Sequence, residues 1–310
     1  MTKNFLKIIF KSFYKIIPFK KFLFLLTKTI YDPPQTIYRH LAFKGVFSLP
    51  YKDKKIKIYH TGTFIENQIF WKGVDGYEPN SLKIWIELCK TSKTIFDLGA
   101  NTGIYSLLAS AANPHSIVHS FEPVERNYKV LKKNISLNGF NINCHNKAVS
   151  EEDGISFFID DYEEFTSSVI INEGLSDIAK GRGVEEDSLQ KVETEIITLD
   201  SFIKQNNISQ IDLMKIDVET HEREVFKGFK INLEKFKPTF LVEIIRDYVA
   251  SYLDERLSGF GYNYFYINEP RGGEVYKTKG PSYQKIGRLE GGKFGNYLIC
   301  EDHIVKRLDL

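Results

Sequence analysis

The stretch "DLMKIDVETHERE", residues 212–224, alternates Met214, Ile216 and Val218 with Lys215, Asp217 and Glu219, and then adds His221, Glu222 and Glu224 at once. Its first half reads as a buried strand, so the charges crowded at its end need a partner, water or a chemical task. Carboxylates and an imidazole in such a place can take a proton from a reacting group. Lys215 either pairs with Asp217 or Glu219 to satisfy buried charge or contacts a substrate.

Three further strand ends carry glycine or polar groups. In "FDLGANTG", residues 96–103, Gly99 and Gly103 permit a tight strand-to-helix turn and a close backbone approach to a ligand. The turn is not GxGxxG, because Asn101 stands at the second glycine position. A pyrophosphate prefers helix amides with no carboxylate nearby, whereas Asp97 just before the turn suits a cationic ligand. In "FEP", Glu122 closes the next strand, where a carboxylate can accept both hydroxyls of a ribose. In "NKAVS", residues 146–150, backbone groups and the small Ala148 could frame a flat base.

These ends must be held by a regular scaffold. From Thr94 onward, apolar runs alternate with amphipathic helices: "TIFDLG" and a helix from about 104, "SIVHSFEP" and "ERNYKVLKKNISLNG", then "INCHNKAVS". "IDLMKIDV", a helix over 222–229, "TFLVEI", a helix near 247–258 and "YNYFYIN" follow. Strands alternating with helices imply an α/β fold with a doubly wound, mostly parallel sheet. The tail departs from this rhythm. "YNYFYIN" and "GNYLIC" are joined by the Gly- and Pro-containing stretch 269–293 without an evident helix, which predicts an antiparallel pair at the C-terminal edge of the sheet. Ligands of such sheets sit beyond the carboxyl ends of the strands.

In order and at similar spacing, "DLGANTGIYS", "FEPVERNYKVLKKNISLN", "KAVS", "TLDSF" and "IDLMKIDVETHEREVFKG" resemble the FkbM-type family of S-adenosylmethionine-dependent methyltransferases. "GYEPN" and "FGNYLIC" extend the likeness to about residues 76–300. The resemblance implies a Rossmann-like methyltransferase core with an antiparallel seventh strand. It implies S-adenosylmethionine as cofactor, with Asp97, Gly99, Ala100, Asn101 and Gly103 around its methionine half. Glu122 and Pro123 would lie at the ribose and Lys147, Ala148 and Val149 near the adenine. Asp217 and Glu219 would stand near the reactive methyl, and His221 is a further candidate base. The family usually has glycine where this chain has Thr220. A β-branched residue resists positive φ, so Thr220 is expected to cap a helix starting at His221, with Glu222 and Glu224 in its first turn.

The chain as a whole narrows the alternatives. Its 310 residues, 42% apolar and 26% charged with a net charge of +2, suit a globular protein and give no reason to expect a nucleic acid partner. Residues 1–90 read as an N-terminal extension and 91–310 as the methyltransferase domain. In the extension, "KKIKIYHTG" alternates as a strand and "SLKIWIELCK" has helical spacing with Ser81 as its cap. Residues 1–30 hold seven lysines and no acid, and Lys3, Lys7, Lys11 and Lys15 recur every fourth position opposite Phe5, Ile8, Ile9, Phe13 and Ile16. A basic amphipathic helix over residues 1–28 suits peripheral attachment to an anionic membrane, or else packs on the protein's own body with its lysines solvated.

Twelve acids fall within 151–190, which reads as a solvated loop whose "FTSS" (165–168) contributes to a lid. No run reaches the ~20 apolar residues of a membrane span, and no signal-peptide pattern is evident, so a cytoplasmic location is expected. Cys89, Cys144 and Cys300 stand far apart and read as reduced core residues, and no histidine spacing suggests a metal. The expected activity is methyl transfer to a hydroxyl of a carbohydrate, glycolipid precursor or secondary metabolite. The alternatives are a nicotinamide-dependent oxidoreductase and a non-catalytic membrane-associated binding protein on the same fold.

Overall fold

Strands buried on both faces, joined by helices, must stack side by side to satisfy their backbone groups, and this chain does so around one twisted sheet. A computed structural model describes residues 19–161, 189–270 and 282–310. The basic segment before residue 19 and the "FTSS" lid of the acidic stretch lie outside the described residues. Helices α1 (Lys20–Ile30) and α2 (Gln35–Tyr38) lead to an antiparallel hairpin of β1 (Gly45–Tyr51) and β2 (Lys54–His60), followed by α3 (Phe64–Lys72) and α4 (Pro79–Cys89).

The alternating part then runs β3 (Thr94–Leu98), α5 (Ile104–Ala112), β4 (Ile117–Phe121), α6 (Glu125–Asn138) and β5 (Ile142–His145). After β6 (Ala148–Val149), β7 (Gly154–Asp161) and β8 (Leu189–Ile197) come α7 (Leu199–Gln205), β9 (Leu213–Ile216), α8 (Glu222–Lys227), α9 (Ile231–Phe236), β10 (Thr239–Ile244) and α10 (Asp247–Arg256). The tail comprises β11 (Asn263–Ile267), β12 (Tyr283–Ile286), β13 (Gly295–Cys300) and α11 (Asp302–Leu308).

The main sheet has the order β12-β11-β13-β10-β9-β3-β4-β5. Strands β10, β9, β3, β4 and β5 are parallel. The expected antiparallel pair is β11 with β13, and β13 also runs antiparallel to β10, wedged between the two. Strand β12, which the Gly- and Pro-containing stretch did not announce, adds an outermost antiparallel strand beside β11. A separate small sheet orders β6-β8-β7. Sequence order reverses between β3 and β9, which makes the crevice at their carboxyl ends the topological switch point.

Alternation along each strand assigns side chains to two cores. Phe96, Met214, Ile216, Phe240 and Val242 enter one cluster with helices α7 to α10. Ile95, Leu213, Leu241 and Leu298 enter the other, shared with Trp85, Leu107 and Leu108 and with Phe43, Phe47, Ile58 and Trp71 from the N-terminal elements. The register pairs Asp97 with Ser120 and Lys215, and Glu243 with Asn296. With period two, Asp97, Lys215, Asp217 and Glu243 therefore share the face of Ile95, Leu213 and Leu241, beneath α4 and α5.

Helix α4 starts at Pro79 after Glu78 in the left-handed region (φ 39°), so Ser81 is not its cap as expected. Its exposed amides are met from far along the chain: Glu269 accepts from Asn80 N (3.1 Å) and Ser81 N (2.6 Å). A carboxylate delivered by the tail replaces a local serine, which is invisible to local spacing.

Candidate active site

At the switch point the two central strands come almost into contact. A Cβ on Gly99 would lie 1.8 Å from the carbonyl oxygen of Asp217, so only glycine allows this approach, and Gly99 also needs its φ of 79°. One cleft opens there, lined by Asp97, Gly99, Ala100, Asn101, Glu122, Pro123, Lys147, Ala148, Val149, Asp217, Glu219 and His221, together with Tyr77, Tyr105, Asn127, Lys215 and Glu243. Gly103 is not among the lining residues; its absent side chain makes room for Leu131 of α6, whose Cδ1 would be 2.5 Å from a Cβ.

Two carboxylates close adjacent strands. Asp97 is buried and accepts from Ser106 Oγ, which lies 2.6 Å from Ser120 Oγ. Burial raises its pKa to about 6 against the pull of Ser106 and Lys215. Glu122 accepts the amides of Asn101 (2.7 Å) and Val124 (2.9 Å), so it also shapes the turn after β3. Burial raises its pKa to about 7 despite those bonds. Beside it, Asn127 Oδ1 is buried without a donor. Lys147 ion-pairs with Glu195 of β8, and Ala148 and Val149 pair with Ile196 and Ile197.

A third group surrounds Lys215, which is buried at 1% exposure. Its ammonium donates to Asp217 Oδ2 (3.1 Å) and Asn296 Oδ1 (3.2 Å) and sits 5.0 Å from the ring centre of Tyr105. Tyr105 in turn donates to Glu78. Burial works against the charge on Lys215, but Asp217, Glu78 and Glu243 more than offset it, and its pKa is raised. The charge of Asp217, then burial, raises Glu243 to about 9. Near neutral pH, Glu243 therefore keeps its proton and forms a carboxyl pair with Asp217. Sequence reasoning missed Glu78, Glu243 and Asn296. A lone glutamate in "TFLVEI" and an asparagine in "GNYLIC" carry no local signal beyond being polar on a buried strand.

The turn after β9 corrects one expectation. Thr220 does not cap a helix; α8 begins at Glu222, and His221 before it makes no side-chain cap bond. Glu219 (φ 52°) and Thr220 (φ 77°) both take positive φ, and His221 N closes the turn on Val218 O at 3.3 Å. Two positive-φ central residues follow the sense of a type I′ turn, which prefers Asn-Gly. A local contact overrides the reluctance of threonine: Glu222 folds back so that its Oε1 accepts from Val218 N (3.4 Å) and Thr220 N (3.3 Å). Burial raises Glu222 to about 8, so part of the apparent charge crowding is a neutral carboxyl. His221 is buried, with Nε2 3.0 Å from Ser150 Oγ and Nδ1 3.6 Å from Glu224 Oε2, and burial lowers its pKa.

Residues 97–264 match the family model described as the methyltransferase FkbM domain, more than half of the 310 residues. The 31-O-demethyl-FK506 methyltransferase FkbM of Streptomyces tacrolimicus is 29% identical over 164 residues, covering 47% of this chain and 63% of that protein. The chain thus spans less than two thirds of that relative's length. Among solved structures, an FkbM methyltransferase from Methylobacillus flagellatus aligns at 14% identity with a TM-score of 0.41, covering 68% of this chain and 44% of its own. An S-adenosylmethionine-dependent O-methyltransferase from Thermotoga maritima aligns at 12% with a TM-score of 0.39, covering 83% and 78%.

A β-branched residue at positive φ stores strain of ~1–3 kcal/mol. Thr220→Gly is expected to stabilise the chain by about 1 kcal/mol after the added backbone entropy of the unfolded state is subtracted. Urea denaturation of the two proteins checks this, and an unchanged or lower midpoint would show the turn unstrained.

Glu122, Glu222 and Glu243 have folded pKa values of about 7, 8 and 9, raised from 4.5. The folded chain keeps these protons after the unfolded chain has released them, so their contribution is whole below pH 4.5 and is lost as pH rises through about 7 to 9. His60, His119 and His145, lowered to about 4, act in the opposite sense but only below pH 6.5. The Tm of the protein alone is expected to fall between pH 7 and pH 9. Glu222→Gln should flatten that fall, and a Tm rising over this range would contradict the assignment.

Proposed function

Because the chain belongs to the FkbM methyltransferase domain family, we propose that it transfers a methyl group from S-adenosylmethionine to a hydroxyl of a carbohydrate, glycolipid precursor or secondary metabolite. The observation that carries this reading is the meeting of Asp97, Glu122 and the Asp217–Glu243 pair in one cleft at the switch point. The residues present fit such a donor. Asp97 is a buried carboxyl left short of positive charge, Glu122 keeps acceptor capacity beyond its bonds from Asn101, Val124 and the Asn127 side chain, and Asn127 Oδ1 lacks a donor. Asp97 would hold the ammonium of the donor, Glu122 its ribose hydroxyls, and Ala148 and Val149 would flank its base. When bound, the donor supplies an electrophilic methyl on a positively charged sulfur.

The protein's own task is then to align an acceptor hydroxyl and remove its proton. Alignment of this kind contributes ~7–11 kcal/mol to lowering a barrier. Of the three candidate bases, we place Asp217 in the role. It is part-exposed in the cleft, and Lys215 fixes one of its oxygens. Glu243, held protonated by the charge of Asp217 and by burial, stands beside it. His221 already has Ser150 and Glu224 at its two ring nitrogens, which suits bracing the wall better than accepting a proton. Glu219, in the turn beside Asp217, is the rival base.

Asp97→Asn and Glu122→Ala are each expected to weaken S-adenosylmethionine binding by roughly 10- to 100-fold, the range for hydrogen bonds to charged groups. Calorimetry measures this directly, and native affinity in both variants would remove the proposed cofactor site.

With radiolabelled donor and fractionated glycan and lipid extracts as acceptor source, Asp217→Asn should lower turnover by ~100- to 10,000-fold while binding the donor nearly as well as the parent. Glu219→Gln should stay within a few-fold. Exchange of those two outcomes would make Glu219 the base, and near-native turnover in both would mean that no dedicated base operates.

A further inference from the structure

Helix α1 buries one side and exposes a larger apolar one. Phe24 packs inward, its ring 5.8 Å from Trp71 and 6.3 Å from Phe43, and Lys28 turns in to the carbonyl of Phe70. On the far side Phe22, Leu23, Leu26 and Ile30 stand exposed, with Phe19 just before the helix, and exposure reaches 81% at Phe19 and 83% at Ile30. At about 100° per residue these five positions fall within an arc of roughly 100°, opposite Phe24. A contiguous apolar stripe turned away from the body is uncommon on a soluble chain and marks an interaction surface.

The charge of the segment identifies the partner. Residues 1–30 contain no acid. Lys20 and Lys21 fall on either side of Phe24 around the helix and rim a shallow surface pocket together with Lys44 and Phe19. An apolar face on a segment with seven lysines and no acid matches a layer of acyl chains beneath anionic headgroups. A second copy would set lysine against lysine with no acid in the segment to pair them. Eleven residues span only ~16 Å, short of a ~30 Å hydrocarbon core, so the helix would lie in the plane of the surface. Among the described residues no helix is long and apolar enough to cross a membrane.

We infer that the outer face of α1 docks on the surface of an anionic lipid bilayer. The contacts of α1 also join this surface to the cleft. Phe24 rests on Trp71 of α3, and Glu66 of the same helix accepts from Thr102 Oγ1 at 2.6 Å, beside Asn101 of the turn after β3. Docking therefore fixes the orientation of the cleft relative to the bilayer, whatever reaction the cleft performs.

Co-sedimentation of the full chain with phosphatidylcholine vesicles, with and without phosphatidylglycerol, tests the inference. Binding is expected only with the anionic lipid and should weaken as salt is raised. Leu23→Asp combined with Leu26→Asp should abolish it, and Lys20→Glu with Lys21→Glu should weaken it at least tenfold, at ~1 kcal/mol per lysine near such a surface. These side chains lie on the helix surface, so unchanged circular dichroism and Tm would confirm that both variants are folded. The inference is overturned if the parent binds no vesicles, or if the double aspartate variant binds as tightly as the parent. Concentration-dependent dimerisation of the parent that disappears in that variant would assign the face to a second copy and overturn it equally.

Discussion

A fully buried ammonium on the central strand governs much of what surrounds it. Lys215 cannot reach water, and an isolated charge at that depth would cost several kcal/mol or more. The chain meets this demand from four directions: Asp217 from the same strand, Glu243 and Asn296 from the neighbouring antiparallel pair, and Glu78 from the entry to α4 through the ring of Tyr105. Glu78 takes a left-handed backbone just before Pro79, and the tail supplies Glu269 to cap the helix that follows. Removing any one carboxylate leaves the others and the ammonium out of balance, so the cluster behaves as a unit rather than as a set of separable pairs.

The same burial sets a tension between stability and binding. Asp97 and Glu122 sit at strand ends where burial makes charge costly, and that cost raises the pKa of both. A ligand carrying positive charge and hydroxyl donors would relieve it, so part of the binding energy is stored in the folded chain as incomplete solvation of carboxylates. Positive φ at Glu219 and Thr220 strains the turn beside the cleft as well. This fits a site in which consistency between local preference and global fold is given up for position.

The parallel core was legible because its strands and helices alternate, and Asp97, Glu122 and Asp217 because each follows an apolar run at a strand's carboxyl end. Other features were not legible, for physical reasons. Glu243 reads as one charge in an apolar strand, and its meaning arises only when the register sets Asn296 beside it. Glu66 lies on a helix whose residues from Glu66 to Trp71 are all buried, so no amphipathic pattern points to its bond with Thr102. Ser81 and Thr220 have the residue type of a cap, but distant carboxylates or a tight turn took over those positions. Except at Thr220, where Glu222 two residues on holds the turn, a long-range partner outweighed a local preference worth only ~1 kcal/mol.

The small sheet β6-β8-β7 has an architectural consequence. Asp161 and Leu189 are register partners, so the chain leaves β7 and re-enters β8 at adjacent points. Segments of very different length can be spliced between two such clasped ends for little closure entropy, since each doubling of a loop costs only ~0.6 kcal/mol. Ala148 and Val149 of the cleft wall pair at the other end of β8, with Ile196 and Ile197, so the splice point stands seven residues along the strand, roughly 23 Å, from that wall. The fold thus provides a socket in which chain length can change while the strand pairing that holds the cleft wall stays untouched.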